Sequence, residues 1–414
     1  INGQLQTTGK IYDRNGEILL QTVDGVQKYN ESETVRKAVM HAIGDSDGNI
    51  VTSVQVAFGE RLVGWDLLNG AYRFNKHLNN YRSDITLTLD SQLCVEAYKA
   101  LNGRKGTVGV YNYKTGEILC MVSSPTFDPK NQPDVEAKPK KYEGVYINRL
   151  LSAAYTPGSV FKLVTSAAAI DNLKNIDTRV FHCEGEMTIN GETVTCPSPH
   201  GDLSFEEALA VSCNVAFAEI SLDLGSDTLQ KYAEKAGFNS GLKVDNIKTA
   251  VGKVNLADAQ GGDLAWAGIG QYSNTANPLN FMAYMGAVAN DGVRITPRIL
   301  KANDIVSFIS TSISGKKRIL SEETAEKLGK MMRNNVTYGY GENNYKGLEL
   351  CAKTGTAEVG GGKAPHAWFA GFMDREDCPL AFVVVIENGG SGSKAAGPVA
   401  NKVLQSAVRR QGDV

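Results

Sequence analysis

Tyr155-Thr-Pro-Gly-Ser-Val-Phe-Lys-Leu-Val-Thr-Ser-Ala-Ala-Ala-Ile170 is the stretch on which the fold reading turns. Pro157 and Gly158 break what precedes them, and the apolar run behind is too rich in alanine for a strand. A helix is therefore predicted from about Ser159. Val160, Phe161, Leu163, Val164, Ala167, Ala168 and Ile170 cover nearly every face, which marks a buried central helix. Lys162 sits inside that apolar cylinder, and a lysine is almost never fully buried unless it is paired or useful. Ser159 lies one turn earlier on the same face. A serine attacks a carbonyl only when a base takes its proton. A lysine serves as that base when burial and a nearby positive charge disfavour its ammonium form. The plain alternative is a lysine snorkelling from a helix end. Ser-x-x-Lys recurs at Ser314 to Lys317 and at Ser391 to Lys394, but there in polar, Gly/Ser-rich stretches typical of surface loops.

The 414 residues are enough for a large domain and a smaller one. With 42% hydrophobic and 21% charged residues the composition is that of a folded globular protein. A formal charge of -2 argues against nucleic acid as the main partner. No run of eighteen apolar residues exists to span a membrane. The chain begins at Ile1 without a methionine, so a leading signal or anchor is expected to have been removed. Seven cysteines, an odd number, cannot all be paired in disulfides.

Residues 1–81 read as a small, irregular α+β region, with a hairpin turn at Asp13-Arg14-Asn15-Gly16 and a helix from Ser32 to Ile43. Residues 82–414 read as the main domain. Its first part holds a helix from Ser91 to Leu101, then strands over Gly106 to Tyr113 and Glu117 to Ser123 joined by Lys114-Thr-Gly116. Residues 180–202 look irregular and hold most of the Cys and His residues. Helices are predicted at 204–224, 228–236, 277–290 and 321–334. Three strands follow in close order, Leu348 to Glu358, His366 to Asp374 and Leu380 to Asn388, before a last helix at about 397–410. Two strands early and three late, around a helical insertion, predict an α+β fold with one antiparallel five-stranded sheet flanked by helices.

Two further patterns supply chemistry. Ser212-Cys213-Asn214 is the one Ser-x-Asn in the chain and lies in an Ala-rich helical stretch. Lys353-Thr354-Gly355-Thr356 lies on a predicted strand, where Gly355 permits close approach of a substrate backbone. The other Lys-Thr-Gly, at Lys114, reads simply as a hairpin turn. Ser-x-x-Lys, Ser-x-Asn and Lys-Thr-Gly in this order are the combination of penicillin-binding proteins and β-lactamases.

The chain resembles a class B penicillin-binding protein over nearly its whole length. Gly9-Lys-Ile-Tyr-Asp-Arg-Asn-Gly16, Ile85-Thr-Leu-Thr-Leu-Asp-Ser-Gln92, Lys114-Thr-Gly-Glu-Ile-Leu119, Gly268-Ile-Gly-Gln271 and Ala367-Trp-Phe-Ala-Gly-Phe372 add to the likeness. It departs in its short N-terminal region, which leaves no room for a large pedestal, and in Cys351-Ala352 ahead of Lys353. The resemblance implies a peptidoglycan D,D-transpeptidase that acts on stem peptides ending in D-Ala-D-Ala and is acylated by β-lactams. Ser159 would be the nucleophile, Lys162 its base and Ser212 the proton relay. Asn214 would hold a substrate amide and Lys162. Lys353 would supply charge, Thr354 and Thr356 would bind the terminal carboxylate, and the N–H groups of Ser159 and Thr356 would form the oxyanion hole. The resemblance also implies a membrane anchor, an extracytoplasmic location and a membrane glycosyltransferase partner.

Cys183, Cys196, His200 and Cys213 form a three-Cys, one-His set, a composition common in structural zinc sites, although without tight Cys-x-x-Cys spacing. A Cys183–Cys196 disulfide across a hairpin and simple buried thiols are the alternatives. Similar relatives that carry a metal beside Ser-x-Asn favour zinc, and no cofactor is needed for the acyl transfer itself. Three competing readings of function stand beside the transpeptidase. Two are hydrolases built on the same motifs, a D,D-carboxypeptidase and a β-lactamase. The third is a non-catalytic β-lactam sensor or scaffold.

Overall fold

A computed structural model describes residues 9–63, 84–302 and 315–411. The boundary expected at residues 81 and 82 lies outside them, as does Ser314. The predicted sheet is present: β1 (Gly106–Asn112), β2 (Ile118–Ser124), β3 (Leu350–Ala357), β4 (His366–Met373) and β5 (Leu380–Ile386). They lie in the order β3-β4-β5-β1-β2, with every neighbouring pair antiparallel. The β1–β2 turn closes because the Asn112 side chain accepts the N–H groups of Lys114 and Thr115.

All seven residues of β5 are buried. A strand read as a continuous apolar run is one covered on both faces, and helices supply the cover. On one face Trp368 packs edge-on against Phe281 of α6 (Pro278–Val288). On the other, Phe369 packs against Tyr340, Tyr345 and Phe382. The chain's last helix, α8 (Gly397–Gln411), packs on β5 and on α2 (Ser91–Leu101). The central helix α3 (Lys162–Asn172) follows a 3-10 turn at Gly158–Phe161, and Lys162, Leu163 and Val164 are all fully buried.

The N-terminal segment forms a four-stranded sheet from Ile11–Tyr12, Ile18–Val23, Val26–Tyr29 and Ile85–Thr86. Its helix α1 (Glu33–Ile43), capped by the Ser32 side chain, packs on α2 and β2 and shares their hydrophobic core. Arg36 reaches from α1 to Asp128 in a buried two-pronged pair, both contacts at 2.7 Å. That pair fixes the start of the long loop leading to the central helix.

Four departures from the sequence reading stand out. The helix expected over 204–224 is broken into α4 (Phe205–Ala210) and α5 (Asn214–Lys235). Ser212 takes a left-handed backbone, φ 57°, which a right-handed helix cannot contain, and the Cys213 thiol caps the next helix at Ala216 N–H. The gap expected near residues 225–227 is a kink in α5 at Gly225, φ 74°. Residues 180–202 are two short ribbons, Phe181–Cys183 with Gly201–Leu203 and Glu186–Ile189 with Glu192–Thr195. Beyond α7 (Glu322–Asn334) the chain continues as a π-helical segment, Asn335–Gly341, where the sequence reading ends. Among the described residues no helix is long and apolar enough to cross a membrane.

Candidate active site

Ser159 stands in the 3-10 turn at the mouth of α3 rather than inside the α-helix proper. The turn is pressed against the edge strand. Gly158, at φ 56°, donates its N–H to Gly270 O at 2.9 Å, and a Cβ on it would lie 2.5 Å from Thr356 O. Only glycine allows the backbone before the serine to come so near the strand. Trp368 of β4 adds a bond from its indole N–H to Thr156 O at 2.9 Å.

The structure brings the three motifs together. The Lys162 amine is 2.6 Å from Ser212 O, 2.7 Å from Asn214 Oδ1 and 3.1 Å from Ser212 Oγ. Lys353 approaches the same hydroxyl oxygen at 3.0 Å and its own neighbour Thr354 O at 3.1 Å. Both lysines are fully buried. Burial pushes Lys162 down to about 7. Burial first, and the charge of Lys162 second, push Lys353 well below the ordinary lysine range. Two amines meeting at one oxygen cannot both stay charged cheaply, so this pair holds a neutral amine near neutral pH. The Ser159 hydroxyl has no hydrogen-bond partner among the described residues.

Asn214, the first residue of α5, spends one side-chain N–H on Thr195 O at 2.7 Å and keeps the other free to donate. Thr195 ends the ribbon Glu186–Ile189 with Glu192–Thr195, so that ribbon fixes the amide's orientation. On β3, Gly355 lies under Pro157 O, where a Cβ would stand 2.8 Å away. The Thr356 side chain is exposed, whereas Thr354 is half-buried with its hydroxyl 3.3 Å from Tyr340 Oη. The Thr354 N–H donates to that same oxygen at 3.0 Å. Sequence reading missed Thr195 and Tyr340. A β-rich Thr193-Val-Thr195 after Asn190-Gly191 was the available signal for the first; the second lies past a helix end, where no pattern marks it. Ser391 and Lys394 of the most C-terminal Ser-x-x-Lys lie on a π-helical turn, Ser391 half-buried and Lys394 exposed.

Cys183, Cys196, His200 and Cys213 converge, with their ligand atoms all within 4.8 Å of one another. The Cys196 sulfur is 3.8 Å from both Cys183 and Cys213, and Cys183 Sγ is 3.4 Å from His200 Nδ1. No disulfide joins them; all are free thiols. The hydrogen bond from Cys213, helped by backbone N–H groups of Val215 and Asn214, holds Cys196 down at about 5, against the opposing effect of burial. Cys213 moves the other way, because the two sulfurs share one proton. The Asn214 N–H that points at Cys196 Sγ, at 3.1 Å, joins this cluster to the lysine-serine network.

Comparison with known proteins agrees with this geometry. Residues 106–405 match the family model of the penicillin binding protein transpeptidase domain. The chain is 29% identical over 334 residues to the peptidoglycan D,D-transpeptidase PbpA of Mycolicibacterium smegmatis, covering 74% of this chain and 67% of that protein. It is 30% identical over 347 residues to stage V sporulation protein D of Bacillus subtilis, covering 79% of this chain and about half, 53%, of that relative. Among solved structures, the D,D-transpeptidase domain of a peptidoglycan glycosyltransferase from Eggerthella lenta superposes with a TM-score of 0.79 at 26% identity, covering 99% of this chain and all of that one. Penicillin-binding protein A of M. tuberculosis, as its imipenem acyl-enzyme complex, gives 0.81 at 25% identity, covering 97% and 98%.

Proposed function

The chain belongs to the penicillin-binding protein transpeptidase family, and from that premise we propose that it cross-links peptidoglycan stem peptides as a serine D,D-transpeptidase. One observation carries the reading: Ser212 Oγ lies between two buried amines, Lys162 at 3.1 Å and Lys353 at 3.0 Å. A neutral Lys162 that donates to Ser212 O and Asn214 Oδ1 still has a lone pair for a proton. Ser159 Oγ attacks the carbonyl carbon of the penultimate D-Ala and gives its proton to that lone pair. The N–H groups of Ser159 and Thr356 receive the oxyanion. Lys162 returns the proton through Ser212 to the leaving nitrogen, the C–N bond breaks, and D-Ala departs. An amine of a second stem peptide attacks the ester carbonyl and gives a proton to Lys162, the bond from the acyl carbon to Ser159 Oγ breaks, and Lys162 passes that proton to the departing serine oxygen. The free N–H of Asn214 holds a donor carbonyl, and the Thr354 and Thr356 hydroxyls beside Lys353 receive the terminal carboxylate. β-Lactams acylate the same serine.

The test offers a D-Ala-D-Ala peptide with and without an amine acceptor. Cross-linked product that rises with acceptor concentration supports transfer; D-Ala release with hydrolysed donor alone points to a carboxypeptidase. Because peptidoglycan is assembled outside the cytoplasmic membrane, we place the domain on that face, working with a membrane glycosyltransferase that polymerises the glycan.

We propose in addition that Cys183, Cys196, His200 and Cys213 hold a structural zinc ion. Tetrahedral zinc with bonds of about 2.3 Å to sulfur sets sulfurs roughly 3.8 Å apart, and sulfur and nitrogen roughly 3.5 Å apart. The separations of 3.8, 3.8 and 3.4 Å fit that figure. Zinc there would brace the turn carrying Ser212 and Asn214 from behind and take no part in the transfer.

A further inference from the structure

Strand β3 is an edge strand, and side chains occupy polar groups along its free edge. In an antiparallel strand the N–H and C=O of each residue face one side, alternating along the chain. On β3 the groups of Leu350, Ala352, Thr354 and Thr356 turn away from β4. Arg333 at the end of α7 donates to Leu350 O at 3.2 Å, and Asn335 donates to Ala352 O at 3.0 Å. Tyr340 Oη accepts the Thr354 N–H at 3.0 Å, and Lys353 takes Thr354 O at 3.1 Å. Thr354 is thus the residue with both outward groups taken, while among the described residues the outward N–H and C=O of Thr356 carry no hydrogen bond.

We infer that Tyr340 is a specificity-determining residue that makes the site accept only donors ending one residue beyond the bond to be broken. The inference rests on the transpeptidase reading above. A donor strand that places its acyl carbonyl on the Thr356 N–H pairs with Thr356. The leaving residue then lies opposite Gly355, whose groups are committed to β4. One residue further on, a peptide group would come opposite Thr354, the next outward pair. Its N–H partner and its C=O partner are both taken there, by Lys353 and by Tyr340. A chain continuing past the leaving residue must break those bonds or leave its own polar groups unmade. A chain ending at a carboxylate stops short of them, beside the Thr354 and Thr356 hydroxyls. Tyr340 is set for this by its ring, which packs edge-on against Phe369 at 5.8 Å.

The experiment compares a donor peptide ending in D-Ala-D-Ala with the same peptide extended by one glycine, following release of D-Ala or D-Ala-Gly by mass spectrometry. The wild-type protein should strongly prefer the unextended donor. In Tyr340→Phe, which keeps the ring and removes only the hydroxyl, that preference should shrink by about tenfold, the weight of one hydrogen bond. Tyr340→Ala should shrink it further. Penicillin labelling of the variants checks that Ser159 still works. A wild type that handles both donors equally, or a preference unchanged in both variants with labelling intact, overturns the inference. If Tyr340→Ala does not fold, Tyr340→Phe decides alone. A wild type that neither releases D-Ala nor takes penicillin would instead overturn the transpeptidase reading itself.

Discussion

Lys162 and Lys353 come from distant parts of the chain, yet their amines converge on the one oxygen Ser212 Oγ, at 3.1 and 3.0 Å. The arrangement depends on the left-handed turn at Ser212, φ 57°, which stops α4 and starts α5 between them. A strained backbone of this kind persists where the surroundings over-determine it, and the bonds to both lysines do so here.

Lys162→Met should slow acylation of Ser159 by penicillin by about a hundred- to ten-thousand-fold, the usual weight of a general base. Stopped-flow or gel-based labelling measures it. A loss smaller than about tenfold would move the base elsewhere.

Gly158→Ala should separate the nucleophile's turn from the edge strand. The added methyl would meet Thr356 O at 2.5 Å, at a backbone φ of 56° that alanine rarely adopts. Acylation should drop by at least about tenfold, since an oxyanion-hole donor alone carries that much or more. Lys162 and Ser212 are untouched by this change, so an unaltered labelling rate would contradict the proposed role of the Gly158–Thr356 contact.

Stability should depend on pH through His41. Its Nε2 pairs with Val145 O at 2.8 Å while Nδ1 is buried without a partner among the described residues, and burial lowers its pKa to about 4. The folded value lies below the unfolded one, so the unfolded chain takes the proton first as pH falls. Stability from this group is full above about pH 6.5 and is lost progressively toward pH 4. At pH 5 the loss should be about 2 kcal/mol. Denaturant unfolding of wild type and His41→Gln at pH 7.5 and pH 5 measures it; an equal pH dependence in both would refute the assignment.

If zinc occupies the Cys183, Cys196, His200 and Cys213 set, purified protein should carry about one equivalent, and chelation should lower Tm by removing a ligand of the native state. Because the Asn214 N–H points at Cys196 Sγ, acylation should slow as well. Metal-free protein with normal Tm and normal acylation would rule the zinc site out.

The sheet and its helices were legible because local patterns agree with the fold: Asn-Gly and Thr-Gly turns, apolar strands, and a central helix apolar on nearly every face with Lys162 among its buried residues. Ser159, Lys162, Ser212, Asn214 and Lys353 were legible as motifs in a fixed order. What lay hidden depends on the tertiary structure. Ser212-Cys213-Asn214 reads as helix because its residues tolerate one, and it is distant partners, the two lysines with Thr195 and Cys196, that hold the turn. Tyr340 was invisible because a π-helical continuation has no sequence period of its own, and its role is defined by an edge that sequence does not display.

The central claim is that Ser159 is the nucleophile. Intact-mass analysis after incubation with penicillin, followed by peptide mapping, tests it most directly. One adduct per chain on the peptide containing Ser159, absent from folded Ser159→Ala, is the predicted result. A stoichiometric adduct that survives in Ser159→Ala, or no adduct on the wild type, would contradict the account.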